Sequence, residues 1–366
     1  MKDVLILGYY GYENCGDDAI LISIKNVLKT IDKDMNMTVL SNNPKMTKKL
    51  YGVNAVYRFN PFGLLWAVIK CDLLLGGGGT LLQDRSSKRS IIYYLSVIFA
   101  VKLLGKKVIL YSNGIGPIIG KFNLKLTSKI IDNVDVITFR EESSKEFLEG
   151  IGVKKPKMLI TTDAVFGLDR VSKDDYKYIF EKNNIPMDKE IFGVSVREWK
   201  NKDSYFAERI AEICDYLIKN KNMNIVFLNM QYEQDKKISE KIIAKMKNKP
   251  YMISEKLSPL EVLGATANFK TMISMRLHGI IFSAKQRVPV AGLIYDPKVD
   301  YYLETLDMPA IGSVDEINIS KAIEKINDLI DNNAVHTAKL DKIVTKLEQD
   351  ERMNGEEFRK LMSVRG

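Results

Sequence analysis

The chain has 366 residues, is 46% hydrophobic and 28% charged, and carries a formal net charge of +9. That length favours two domains over one, and the composition is ordinary for a globular protein with enough apolar material for two cores. The basic excess is spread through the sequence rather than gathered in an arm, which argues against nucleic acid as a partner and leaves anionic ligands and an anionic membrane face.

In chain order, an apolar strand at 4–7 leads into a glycine-rich loop and an amphipathic helix at about 17–30. A short buried strand at 72–75 ends in four glycines, and the apolar run 91–104, interrupted by Lys102, is too short to span a bilayer and reads as a buried helix. A strand at 108–111, a helix at 121–132, a strand at 136–139 and a helix at 143–149 follow. Such alternation predicts parallel strands joined by right-handed crossovers. The polar stretch near 167–189, part of which can be helical, interrupts the pattern, which restarts with a strand at 192–196, a helix at 204–219, a strand at 224–228, a helix at 235–247, a short strand near Tyr251 and a helix from Pro259. Two further buried strands, 269–275 and 289–294, precede a helical tail with a lysine-rich face. The expected architecture is therefore α/β, with two similar domains facing one another across a cleft. The expected bounds are 1–168 for the N-terminal domain, 169–189 for a linker, 190–335 for the C-terminal domain and 336–366 for the tail.

Three cysteines, an odd number without CxxC spacing, argue against a disulfide frame and against a zinc site. No cluster has metal-ligand spacing, so no metal is expected. The opening MKDVLILGYYG lacks the regions of a signal peptide, which points to the cytoplasm.

Three groups of residues carry chemistry. The first is the loop 8–18, GYYGYENCGDD, placed where phosphate-binding loops sit. Gly11 and Gly16 have the Walker A spacing, but Asp17 and Asp18 stand where Lys and Ser or Thr are needed, and carboxylates repel phosphate. Asp17 or Asp18 either caps the helix or, with Asn14, binds the hydroxyls of a sugar. The second is Gly76, Gly77, Gly78, Gly79 and Thr80, followed by Gln83 and Asp84. Four glycines allow positive φ and close approach of a ligand to backbone amides. The third comprises Arg140, Arg197 and Arg276, each just after a predicted strand, in the place where open α/β sheets bind ligands. Together they suit a ligand with two anionic groups. His278 follows Arg276 by two residues and is one of only two histidines, so anion binding and proton transfer meet in the segment SMRLHG, 274–279. The segment YDPKVD, 295–300, adds the compact charge of Lys298.

These motifs resemble the polysaccharide pyruvyl transferase family, and most closely its cell-surface-anchoring branch. The resemblance rests on GYYGYENCGDDAIL, DLLLGGGGTLLQD, YSNGIGP, DVITFREESS, SMRLHG and YDPKVD, in that order along nearly the whole chain. It implies a fold similar to GT-B glycosyltransferases, with two Rossmann-like domains. It also implies transfer of a pyruvyl group from phosphoenolpyruvate to two hydroxyls of one sugar, giving a cyclic ketal and phosphate, with no cofactor besides that co-substrate. For this branch the acceptor is similar to a β-linked N-acetylmannosamine in a secondary cell wall polysaccharide precursor on a polyprenyl pyrophosphate. The protein would then sit peripherally at the cytoplasmic face of the membrane. On this reading the donor is held by Arg140, Arg197, Arg276, Leu277, His278 and Lys298, with His278, Lys298 and Arg276 catalytic. The acceptor is held by Asn14, Asp17, Asp18, Gly77, Gly78, Gly79 and Gln83. The oligomeric state is left open. Two other functions fit the same residues: a GT-B glycosyltransferase with a nucleotide-sugar donor, and a non-catalytic glycan-binding protein.

Overall fold

The computed structural model describes residues 2–77, 79–85, 88–199 and 203–363. The chain divides into two compact units, one made of 1–168 and 347–366 and the other of 169–346.

The first unit is built on seven strands: β1 (Asp3–Tyr10), β2 (Asn36–Ser41), β3 (Asn54–Tyr57), β4 (Leu73–Gly77), β5 (Lys107–Asn113), β6 (Val136–Phe139) and β7 (Lys157–Ile160). They lie in the order β3-β2-β1-β4-β5-β6-β7, all neighbours parallel. This is the doubly wound Rossmann order, in which the direction of winding reverses between β1 and β4. Central strands must be apolar on both faces, and every residue of β4 is buried, whereas edge strand β3 is half exposed. Helices Pro61–Lys70, Lys88–Leu103, Lys121–Ile131 and Glu142–Gly150 share one apolar core against a single face of this sheet, through Val68, Leu95, Ile98, Ile131 and Leu148. Helix starts are written locally: Asn14, Asn43 and Asn60 each accept a hydrogen bond from a first-turn amide, and Pro44 and Pro61 occupy first helical positions.

The second unit has six parallel strands: β8 (Ile191–Ser195), β9 (Asn224–Phe227), β10 (Tyr251–Met252), β11 (Thr271–Ser274), β12 (Val290–Ile294) and β13 (Ala310–Ser313). Their order is β10-β9-β8-β11-β12-β13, so the same winding recurs with its reversal between β8 and β11. Both units are thus Rossmann-like, as the alternation of the sequence implied.

The division differs from the expected one at two places. Residues 169–189 belong to the second unit and are packed there. They carry the short helix Tyr178–Lys182, whose Ile179 and Phe180 are fully buried, with Phe180 edge-on to Phe269 at 6.3 Å. Tyr176 lies so close to Gly264 that a Cβ there would come within 2.0 Å of its ring. The tail is one helix, Asn333–Ser363, and from Leu347 onward it belongs to the first unit. Buried Glu351 accepts a hydrogen bond from Tyr111 at 2.9 Å, Asn354 accepts one from Thr161 at 2.9 Å, and Lys157 pairs with Glu357 at 2.6 Å. The lysines of this helix marked its solvent face, while its partners lie about two hundred residues away in sequence, beyond the reach of local pattern.

Candidate functional site

In the second unit the carboxyl ends of β8, β11 and β12 converge on one set of side chains. Arg197 follows β8, Arg276 follows β11 as the N-cap of helix Leu277–Lys285, and Asp296 follows β12 as the N-cap of helix Pro297–Thr305, its carboxylate accepting from the Lys298 amide at 3.1 Å. Both helices begin beside the switch point, so the positive ends of their dipoles point to where an anion would sit. The first of them has no acidic residue in its first turn and no side-chain cap. Gly279 sets this geometry, since a Cβ there would come within 2.3 Å of Ser274 Oγ, which donates to the Arg276 carbonyl at 2.8 Å.

The two arginines differ. Arg276 is ion-paired with Asp235, whose side chain is 0% exposed, and it also donates to Gln231 Oε1 at 3.4 Å. Asp235 in turn accepts from the Gln231 amide at 2.9 Å. The pair fixes the guanidinium but cancels its charge, and a buried pair of this kind is costly to break from one side, at about 3–5 kcal/mol. Among the described residues no carboxylate pairs with Arg197. Its Cζ lies 5.4 Å from the ring centre of Tyr295, whose ring is edge-on to Trp199 at 5.3 Å. Arg197 therefore carries a positive charge that no carboxylate among the described residues offsets. His278, in the first turn of its helix, is partly buried, its ring 6.4 Å from Phe282.

Polar atoms buried here without a hydrogen-bond partner include Ser195 Oγ, Arg197 Nε, Asn229 Nδ2 and Arg276 Nε. Ser195 ends β8, and Asn229 lies just beyond β9. Such atoms are rare in a folded protein and call for an explanation; a polar ligand at the switch point supplies one. Arg197, Arg276, Leu277, His278 and Lys298 thus all lie just beyond the carboxyl ends of the adjacent strands β8, β11 and β12. Asp235, Gln231, Ser195 and Asn229 were not found in the sequence. Asp235 did leave a signal there: it shares a buried stripe with Ile238 and Ile242, and a carboxylate in such a stripe needs a partner.

The first unit places a second polar set at its own switch point. Asn14, not Asp17 or Asp18, caps helix Cys15–Ile31, accepting from the Gly16 amide at 3.1 Å. Asp17 and Asp18 lie in the first turn and are buried. Burial, with the charge and the hydrogen bond of Asp18, pushes the Tyr51 hydroxyl well above its usual range. Gly79 has φ +56° and sits so that a Cβ would come within 3.0 Å of Asp17 Oδ1. Gly77 accepts from the Tyr10 hydroxyl at 2.7 Å. Gln83 is half-buried nearby in sequence, and Gly78 lies outside the described residues. Asn14, Asp17, Asp18, Gly77 and Gly79 therefore stand around the ends of β1 and β4.

Arg140 was expected with the donor-binding set, but its contacts lie in the first unit. It is buried, paired with Asp163 at 2.7 Å and with Glu141 at 3.0 Å, and donates to Thr80 at 3.3 Å. Two carboxylates offset its charge, and it ties β6 to the glycine-rich turn after β4. Buried Arg58, just after β3, was not singled out in the sequence. Its guanidinium lies among aromatic rings, 4.3 Å from the centre of Tyr93 and 5.3 Å from that of Tyr94. Beside it Tyr9 and Tyr12 stack at 4.0 Å, a partly exposed aromatic platform. Among the described residues there is no group of three metal-ligating side chains.

Two Rossmann-like units with polar side chains gathered at both switch points define a GT-B-like fold, and solved structures agree on it. The UDP-GlcNAc 2-epimerase of Neisseria meningitidis bound to UDP-GlcNAc is similar at TM-score 0.65 with 13% identity, over 98% of this chain and 100% of that one. Anabaena HepE, solved with UDP and glucose, matches at 0.66 with 10% identity over 99% and 100%, and a glycosyltransferase from Rickettsia africae at 0.66 with 13% identity over 100% of both. No curated protein matches the chain by sequence. The model of the polysaccharide pyruvyl transferase family matches residues 14–297, and the chain belongs to that family.

Proposed function

We propose that the chain transfers a pyruvyl group from phosphoenolpyruvate to two hydroxyls of a single sugar, a β-linked N-acetylmannosamine of a lipid-linked cell wall polysaccharide precursor. The observation that carries the donor is the set of groups just beyond β8 and β11 in the second unit. It combines Arg197, which no carboxylate pairs among the described residues, a helix N-terminus without a side-chain cap and buried polar atoms that lack partners. Phosphoenolpyruvate brings a phosphate and a carboxylate, and a guanidinium and a helix start suit two anionic groups.

The reaction needs a proton on the donor methylene, which places positive charge on the adjacent carbon. One sugar hydroxyl adds there. The carbon–oxygen bond to phosphate then breaks, and the second hydroxyl closes the ketal. Two hydroxyl protons are lost, one is gained by the methyl group, and the other leaves with phosphate, so atoms and charge balance without a further reactant. His278 is assigned the proton transfer. Lys298 stabilises the departing phosphate, and Arg276, held by Asp235, orients the donor. Asp17, Asp18 and the Tyr9–Tyr12 platform of the first unit suit the hydroxyls and the ring face of a sugar.

The test is incubation with phosphoenolpyruvate and a synthetic β-linked N-acetylmannosamine acceptor, following phosphate and product mass. Phosphate release without a ketal product, or turnover only with a nucleotide sugar, would refute the assignment. The lipid-linked acceptor implies work at an anionic membrane surface. No described helix is long and apolar enough to cross a membrane.

A further inference from the structure

Three neighbouring helices of the first unit, Pro61–Lys70, Lys88–Leu103 and Lys121–Ile131, cover one face of its sheet and share the core beneath them. The first two lie side by side. At their starts Phe59 packs on Tyr93 at 5.4 Å, and at their ends Lys106 donates to the Val68 carbonyl at 2.9 Å and the Cys71 carbonyl at 2.6 Å.

Their outward faces are apolar. Phe62, Leu65, Trp66 and Ile69 fall at i, i+3, i+4 and i+7, one stripe of a helix, yet all four are exposed, Phe62 at 83%. The opposite stripe, with Ala67 and Val68, already fills the core. On the next helix Phe99 and Leu103 are exposed as well, Leu103 at 73%. Apolar surface of this extent marks a docking face.

The charge pattern says what docks. Residues 61–70, 88–103 and 121–131 contain no Asp or Glu, in a chain with 46 of them, and they carry seven Lys or Arg. Lys121, Lys125 and Lys129 are exposed along one face of their helix, and Lys70 lies 5.0 Å from the ring centre of Trp66. Lys70 and Lys102 pair with Asp3 and Asp135 outside these helices, at 3.4 and 2.8 Å, whereas Lys121, Lys125 and Lys129 face solvent. Apolar side chains with a Trp, on helices that carry bases and no acids, fit the interface of an anionic bilayer, where the rings and aliphatic groups enter the headgroup boundary and the exposed lysines meet lipid phosphates. A second copy of this face would set lysine against lysine.

We infer that this three-helix face docks the protein on an anionic lipid surface. The inference deepens the proposed use of a lipid-linked acceptor and names the surface that meets the membrane.

The test is co-sedimentation of the full chain with vesicles of phosphatidylcholine, with and without phosphatidylglycerol. The wild type should bind the anionic vesicles and lose them in high salt. Phe62→Ser with Trp66→Ser, and separately Lys121→Glu with Lys125→Glu, should each weaken binding about tenfold or more while melting with the wild type, since all four side chains are exposed. Binding no better to anionic than to neutral vesicles would overturn the inference, as would variants that bind like the wild type. A wild-type dimer made monomeric by Phe62→Ser and Trp66→Ser, without vesicle binding, would assign the face to a second copy instead. Turnover of a water-soluble acceptor separates this from the proposed function. Retained turnover without vesicle binding sinks only the membrane face, and vesicle binding without turnover sinks only the reaction.

Discussion

At the scale of single residues, the two arginines of the second unit should behave differently. Arg197 has no carboxylate partner among the described residues, and a charge-assisted hydrogen bond is worth about 1.5–3 kcal/mol, so Arg197→Ala should raise the KM for phosphoenolpyruvate by about tenfold to a hundredfold with a smaller change in kcat. Arg276→Ala should also lower stability, because it leaves Asp235 buried and unpaired. Thermal melts and donor titrations of the two variants separate these effects, and equal melting temperatures would contradict the pairing. His278→Ala should lower kcat by about a hundredfold to ten-thousandfold while the fold is kept, as loss of a general acid–base group does. A variant that loses stability but keeps its activity per folded molecule would make His278 a packing residue. Arg276, His278 and Lys298 were legible because ionisable side chains at the ends of apolar runs stand out. Asp235 and Arg58 were not, because their partners come from other strands and helices.

At the scale of elements, close approaches decide. Gly279→Ala would place a methyl group within 2.3 Å of Ser274 Oγ, so either that hydroxyl gives up the Arg276 carbonyl or the start of helix Leu277–Lys285 shifts, at a cost of about 1–3 kcal/mol. Donor affinity should fall with it, and a variant with unchanged melting and unchanged KM would show that this helix start does not shape the pocket. The tail helix offers a pH test. Burial works against ionisation of Glu357, but the hydrogen bonds and charges of Lys157 and Lys360 outweigh it and hold the carboxyl below its usual range. A depressed folded pKa stabilises above the unfolded value, about 4.3, and that contribution is lost as the pH falls through the folded value. The melting temperature of the wild type should therefore fall more steeply with acid than that of Glu357→Gln; parallel curves would remove this ion pair from the account. The strands were largely readable, since buried parallel strands are short apolar runs. A helical part of the stretch 167–189 was expected, but its place at 178–182 was not, because five residues are too few for a period to show.

At the scale of the molecule, the alternation of strands and helices announced two α/β units, and the strand orders make both of them Rossmann-like. What local pattern did not reveal is that the chain returns to its first unit at Leu347, because that return is written in single contacts such as Tyr111 with Glu351. Ending the chain at residue 346 removes fully buried Phe358 and leaves Tyr111 without its acceptor, so the first unit should lose several kcal/mol of stability, on the order of what large buried side chains contribute. Unchanged denaturant unfolding of the shortened chain would show that the tail is only a surface ornament. The central claim is pyruvyl transfer from phosphoenolpyruvate, and mass spectrometry of a defined β-linked N-acetylmannosamine acceptor after incubation with that donor tests it most directly. The account predicts an acceptor heavier by one pyruvate ketal, one phosphate released for each ketal formed, and loss of both in His278→Ala; an acceptor left unchanged, or modified only when a nucleotide sugar is supplied, would contradict it.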